Sequence, residues 1–213
     1  ACIKSDCALL GGETAEMPGH YIDNNFDLAG FSVGCVSKDK IIKNDNVMCG
    51  NVLIGIESSG PHSNGFSLIR KIIKESKVNK EEKNIIAKRC LEPTLLYPKL
   101  IMELISNYKI NSLSHSTGGG LTENLPRSIP DNLCVEIDTD SWEMPNIFKW
   151  LKENGNISDD DMYRIFNCGI GMVLFVDEDE ELNISSRIKE LKMNSFVIGK
   201  VKNKKEESSV IFV

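Results

Sequence analysis

NVLIGIESSGPHSNGFSLIRKI, residues 51–72, passes from an apolar, β-branched run through a loop of Ser, Gly, Pro and His into a helical pattern. NVLIGI reads as a strand. FSLIRKIIKES sets Phe66, Leu68, Ile69, Ile72 and Ile73 mostly on one helical face, which predicts an amphipathic helix against a core. The loop between them, ESSGPHSNG, combines several chemical options. Its glycines permit close backbone approach and positive φ. Ser63 or Asn64 can cap the helix, whose free N–H groups attract an anion. His62 can donate to a phosphate or move a proton, because imidazole titrates near neutrality. Two readings stand: a phosphate-binding loop, or a tight turn with a good cap and an exposed histidine. The pattern is neither a P-loop nor a G-x-G-x-x-G turn.

Outward along the chain the same theme returns. INSLSHSTGGGLTENLPRSIPDN holds a short apolar segment, a Ser/Thr/Gly loop and a short helix, with HSTGGGLTEN at residues 115–124. Three consecutive glycines, Gly118, Gly119 and Gly120, cost backbone entropy that a simple turn seldom requires. Thr117 can bond an anion and His115 stands close by. The alternatives are a flexible hinge or the second wall of one site built from two loop ends.

The remaining pattern mixes strands and helices without repeats. CALL and FDLAGFSVGCVSKDKII look like strands, with the polar loop GGETAEMPGHYIDNN between them. KNDNVMCGN, residues 43–51, is the linker candidate, and KVNKEEKN reads as a solvated charge run. A second helix is predicted in TLLYPKLIMELISNYK, with Pro98 near its first turns. SWEMPNIFKWLKENG has Ser141 as N-cap and Gly155 as stop, and ISDDDMYRIFN starts at Ser158 with Asp161 completing a capping-box variant. Trp142, Phe148, Trp150 and Leu151 read as core packing. NCGIGM, residues 167–172, sets small residues before a strand, for close packing or as a site wall. GMVLFV, the helix around ISSRIKEL, and SFVIGKV form a β-α-β unit, with SSVIFV as a last strand. The class is α+β, mixed α/β layers, with a boundary near residues 45–50.

Composition excludes several functions. The 213 residues carry a net charge of -6, so no electrostatic footprint for nucleic acid or an anionic membrane is visible. Any bound phosphate must be held by local geometry. The seven cysteines form no CxxC and no paired metal spacing, as expected of reduced thiols packed as small hydrophobes. The NIS triplets at Asn156 and Asn183 then read as chance matches to glycosylation acceptors. No apolar run reaches membrane length and the N-terminus is no signal peptide, which points to a cytoplasmic protein. Asp159, Asp160 and Asp161 invite a metal, but acids at a helix start are explained by its dipole. Glu13 and Glu16 in GGETAEMPG are ordinary solvated acids unless the loop faces a nucleotide, where a carboxylate after a Gly pair could hold Mg²⁺.

GGETAEMPG, SSGPHSNGFS, HSTGGG, ENLPR and MYRIFNCGIGM, in this order, closely resemble the phosphoribosylformylglycinamidine cyclo-ligase (aminoimidazole ribonucleotide synthetase) family over nearly the whole chain. The resemblance implies ATP-dependent closure of formylglycinamidine ribonucleotide to aminoimidazole ribonucleotide, ADP and phosphate in de novo purine synthesis. It implies ATP and Mg²⁺ as cofactors, with Glu13 as metal ligand and Glu13 and Thr14 at the nucleotide. By the same resemblance, Ser59, Gly60, Ser63 and Asn64 would bind substrate or phosphate, His62 would handle a proton, and His115, Thr117 and Gly118, Gly119 and Gly120 would complete that wall. A homodimer is implied for the full enzyme, with no nucleic-acid or membrane partner. The family pattern begins with a DGVGTK-like segment that these residues do not contain. Residues 1–45 are therefore expected to be the end of an ATP-binding N-terminal domain, and 46–213 a complete C-terminal synthetase-like domain. On this reading the chain is a C-terminal portion with little or no cyclisation activity alone. The alternative is a non-catalytic phosphate-binding or interaction module derived from the enzyme.

Overall fold

The apolar run of residues 52–56 is hydrophobic at every position save one glycine, the pattern of a strand covered on both faces. That is its place in the computed structural model, which describes residues 1–22, 25–205 and 207–213. Six strands form one sheet: β1 Val52–Glu57, β2 Ser112–His115, β3 Leu133–Ile137, β4 Ile170–Val176, β5 Ser195–Asn203 and β6 Val210–Phe212. Their spatial order is β2-β4-β1-β5-β3-β6. All pairings are antiparallel except β3 with β6. Among the described residues seven α-helices accompany them: α1 Phe66–Glu75, α2 Lys80–Cys90, α3 Pro98–Asn107, α4 Gly120–Asn124, α5 Asn146–Gly155, α6 Asp159–Ile165 and α7 Glu181–Glu190. The expected α+β class of mixed layers is what forms.

Side-chain alternation along the central strands divides the interior. Leu53, Val173 and Phe175 pack with Ile69 and Ile72 of α1, Phe148 and Leu151 of α5 and Met162 of α6. Val52, Ile54, Ile56, Leu174 and Val176 pack with Leu100 and Leu104 of α3 and Ile184 and Ile188 of α7. Helices on both faces leave the loops at the strand ends as the surface available for chemistry.

Local expectations met the structure unevenly. α6 is capped as expected, Ser158 Oγ accepting from Asp161 N–H at 3.2 Å. Pro98 takes the first position of α3, where its missing N–H removes no helical bond, so TLLY lies outside the helix. α5 starts after Pro145, and Ser141 instead donates its hydroxyl to Asp138 O at 2.6 Å. The charge run around Glu81 is helical: Asn79 caps α2 by accepting from Glu82 N–H at 2.9 Å. The linker candidate is strapped down. Val47 is buried, Asn44 Nδ2 donates to Ile129 O at 3.1 Å, and Gly50 N–H bonds Val201 O at 2.9 Å.

Two compact units divide the chain, residues 1–41 and 42–213. The second holds the sheet and all seven helices. Within the first, the strands expected at CALL and FDLAGFSVGCVSKDKII do not form among the described residues; Lys38–Lys40, inside the second, is a short 3-10 turn. Leu10 is 95% exposed and Phe31 102%. A strand needs a partner for its backbone groups and a cover for its apolar face, and among the described residues of this unit neither is present. The loop expected over residues 11–25 includes Asp23 and Asn24, which lie outside the described residues.

Candidate functional site

β1 delivers the chain at Glu57 into a loop held from behind by Asn167. Ser58 N–H bonds Gly169 O at 2.8 Å, and Ser58 Oγ donates to Asn167 Oδ1 at 2.8 Å. The amide of Asn167 donates to Gly60 O at 2.9 Å. Ser59 donates its hydroxyl to Pro93 O at 2.7 Å and its N–H to His62 Nε2 at 3.2 Å. His62 adopts φ 56°, a left-handed backbone that turns its ring inward, and only 6% of it is exposed. Because Nε2 accepts from Ser59, the ring proton belongs on Nδ1, and that buried atom has no hydrogen-bond partner. Burial, with the nearby His115 in support, pushes the His62 pKa down to about 4. The imidazole is therefore a neutral donor at physiological pH, where the unperturbed side chain would titrate. Neither Ser63 nor Asn64 caps α1; Gly65 holds the N-cap with φ 73° and no side chain satisfies the first turn.

The second loop follows β2. Ser116 N–H bonds Gly171 O at 2.9 Å. Asn124 clasps the turn: its Oδ1 accepts from Thr117 Oγ1 at 3.2 Å, while Nδ2 donates to Gly118 O at 3.2 Å and Gly120 O at 2.7 Å. Thr117 Oγ1 thus faces inward. Gly119 and Gly120 both have positive φ, and a Cβ on Gly120 would stand 2.1 Å from Tyr163 O. A Cβ on Gly118 would lie 3.7 Å from Asn64 Oδ1, so the two loops meet there. His115 is exposed at the strand end, its pKa lowered by partial desolvation.

Tyr97 stands between the histidines, its ring centroid 6.2 Å from His62 and 5.8 Å from His115. Its hydroxyl donates to Glu57 O at 2.8 Å. Gly171 permits this packing, since a Cβ would fall 1.9 Å from Tyr97 Oη and 2.9 Å from His62 Cε1. A shallow, open pocket of about 380 Å³ is lined by His62, Ser63, Phe66, Glu92 and Thr94. His115 lies outside its lining.

The structure thus brings Asn64 of the first loop against Gly118 of the second and sets Tyr97 between His62 and His115. Glu13 and Thr14 belong to residues 1–41, exposed and without regular structure. Among the described residues no group of three or more His, Cys, Asp or Glu side chains could hold a metal ion. The sequence pattern did not single out Tyr97 or Asn124 as architects of the site, whereas Asn167 and Gly171 fall in the NCGIGM stretch expected as close packing or a site wall. Asn124 and Asn167 sat inside quoted motifs, ENLPR and NCGIGM; Tyr97 was absorbed into a helix. No described helix is long and apolar enough to cross a membrane.

Residues 49–211 match the family described as AIR synthase related protein, C-terminal domain. Among solved structures, thiamine-monophosphate kinase from Stenotrophomonas maltophilia K279a superposes with a TM-score of 0.54 at 14% identity, over 83% of this chain and 54% of that one. The Aquifex aeolicus thiamine monophosphate kinase gives 0.50 at 17% identity, covering 81% and 52%. HypE from E. coli, a hydrogenase maturation protein, gives 0.54 at 15%, covering 78% and 47%. At these identities the likeness is one of fold, and the chain spans about half the length of each.

Proposed function

This chain belongs to the AIR synthase related family through its C-terminal domain, and from that premise we propose that it is the C-terminal part of a phosphoribosylformylglycinamidine cyclo-ligase. The proposed reaction converts formylglycinamidine ribonucleotide and ATP into aminoimidazole ribonucleotide, ADP and phosphate, in a cytoplasmic, homodimeric enzyme of purine biosynthesis. The observation that carries the reading is the buried Nδ1–H of His62, left without an acceptor in the GPHSNG loop, whose Asn64 meets the STGGG loop at Gly118. An unpaired buried donor is costly, and an anionic oxygen would satisfy it with a charge-assisted bond.

In this proposal His62 is a neutral donor to the substrate phosphate or to the developing oxyanion. A proton-transfer role at neutral pH would require the ligand to raise its pKa. Ser59, Gly60, Ser63 and Asn64 supply the loop around that anion, and α1 adds first-turn N–H groups that no side chain caps. Thr117 and Gly118–Gly120, held by Asn124, form the facing wall. ATP, when bound, supplies the phosphoryl group that activates the amide oxygen for displacement by an internal nitrogen. Residues 1–45 are proposed as the end of the ATP-binding domain, with Glu13 and Thr14 toward the nucleotide, and 46–213 as the synthetase-like domain. Magnesium, when bound with the nucleotide, would be held by Glu13 together with the phosphate oxygens.

Mixing the chain with formylglycinamidine ribonucleotide, ATP and the N-terminal segment of a cyclo-ligase should yield ADP release. His62→Asn, which tolerates the left-handed backbone, should weaken substrate binding by about tenfold or more with little change in Tm. Binding without turnover in the reconstituted mixture would favour the non-catalytic module. No binding at all, with both pieces folded and associated, would overturn the reading.

A further inference from the structure

A second pocket, of about 400 Å³, lies between α2 and the start of α5. Its volume falls within the roughly 300–1,000 Å³ range of small-molecule sites. Part of the lining is apolar. Ile86, Ile147 and Trp150 are partly buried against the core, and Ile85 is 54% exposed. The indole of Trp150 is held in place by donating Nε1–H to Glu82 Oε1 at 3.1 Å. An exposed isoleucine beside a fixed indole is apolar surface that a ligand can remove from water. Ser59 also lines the pocket, but its hydroxyl is donated to Pro93 O at 2.7 Å, so it is no free nucleophile. The pocket is built to bind.

The lining carries two opposite charges, Arg89 and Glu92. Neither forms an ion pair with any described residue, the other included. Glu92 is the harder of the two to explain within the chain. α2 ends at Cys90 with Leu91 as its C-cap, and the Glu92 N–H bonds Arg89 O at 3.4 Å. Its carboxylate therefore belongs to the carbonyl end of a helix, where partial negative charge disfavours an anion and favours a cation. An apolar wall, an unpaired guanidinium and an unpaired carboxylate together complement a ligand with an apolar body and both charges. We infer that this pocket binds a free α-amino acid with a large apolar side chain. Arg89 takes the α-carboxylate, for which its planar fork is suited. Glu92 takes the ammonium, and Ile85, Ile86, Ile147 and Trp150 receive the side chain. A ligand of one sign alone would leave a like charge of the pocket beside it, which costs affinity. The assignment rests on no part of the proposed function.

The test titrates the 213-residue chain with L-phenylalanine, phenylpropionate, phenylethylamine and L-alanine, following the indole N–H signals by NMR. The second ligand lacks the ammonium, the third the carboxylate and the fourth the apolar bulk. Trp142, whose Nε1–H is buried against Cys168 O, lies outside the pocket and serves as internal reference. Phenylalanine should shift Trp150 more than Trp142 and bind at least about tenfold more tightly than each of the other three. Arg89→Gln should weaken phenylalanine about tenfold and leave phenylethylamine within about twofold. Glu92→Gln should weaken phenylalanine likewise and leave phenylpropionate within about twofold. Both positions are exposed, so the fold should tolerate either change, and an unmoved Trp142 signal checks that it does. His62→Asn should leave phenylalanine affinity within about twofold; a larger loss would place the amino acid at His62 and overturn the assignment. A half ligand that binds as tightly as phenylalanine, a variant that weakens every ligand alike, or no saturable binding up to about 10 mM would overturn it as well. None of these results bears on whether the His62 donor receives an anion, so the two sites stand or fall separately.

Discussion

His62 concentrates the site's physics in one side chain. A left-handed backbone places it inward, Ser59 occupies Nε2, and burial lowers its pKa to about 4 from the ordinary 6.5. Between those values the unfolded chain binds the proton and the folded chain does not. The contribution of His62 to stability is therefore fully present above pH 6.5 and is lost as pH falls toward 4. At full slope the loss is about 1.4 kcal/mol per pH unit. An NMR titration should find the His62 ring neutral down to about pH 5, and a midpoint near the ordinary value would show that the loop does not enclose it. His115, at the strand end, shares the direction of shift through partial desolvation.

Among the elements, the triple-glycine turn shows how unequal adjacent residues can be. Gly120 has φ 54° and faces the carbonyl of Tyr163, whereas Gly118 has room for a Cβ, with Asn64 Oδ1 at 3.7 Å. Gly120→Ala should therefore cost about 2 kcal/mol or more from strain and overpacking, seen as a lowered denaturant midpoint. Gly118→Ala should stay within about 0.5 kcal/mol but narrow the junction between the two loops. Equal costs would mean that the turn relaxes around α6 and is not held by Asn124.

For the molecule as a whole, the distribution of burial decides what stands alone. All buried apolar side chains among the described residues lie from Val47 to Val210. Residues 1–41 instead carry exposed Leu9, Leu10, Phe26, Leu28, Phe31 and Val33. A chain of residues 42–213 should therefore keep its Tm within about 3 °C of the full chain and self-associate less, as read by calorimetry and light scattering. A fall of about 10 °C or more would show that the first 41 residues contribute to the fold.

What could be read in the sequence was local. The β1 run, the apolar face of α1, the Ser158 cap of α6 and both glycine-bearing loops depend on periodicity and short-range bonding, which neighbouring residues suffice to express. The choice of partners belonged to the tertiary structure. CALL and FDLAGFSVGC have the composition of strands, yet an extended segment becomes a strand only when another backbone takes its hydrogen bonds. Asn79 turned a charge run into a helix, because one cap and a partly buried face outweigh surface polarity. Likewise the loop residues were visible as candidates, but the groups that aim them, Tyr97, Asn124, Asn167 and Gly171, act across separations no local pattern encodes. Backbone preference is set within a few residues of chain, whereas burial, a buried donor left without an acceptor and a lowered pKa arise only when distant segments exclude water together.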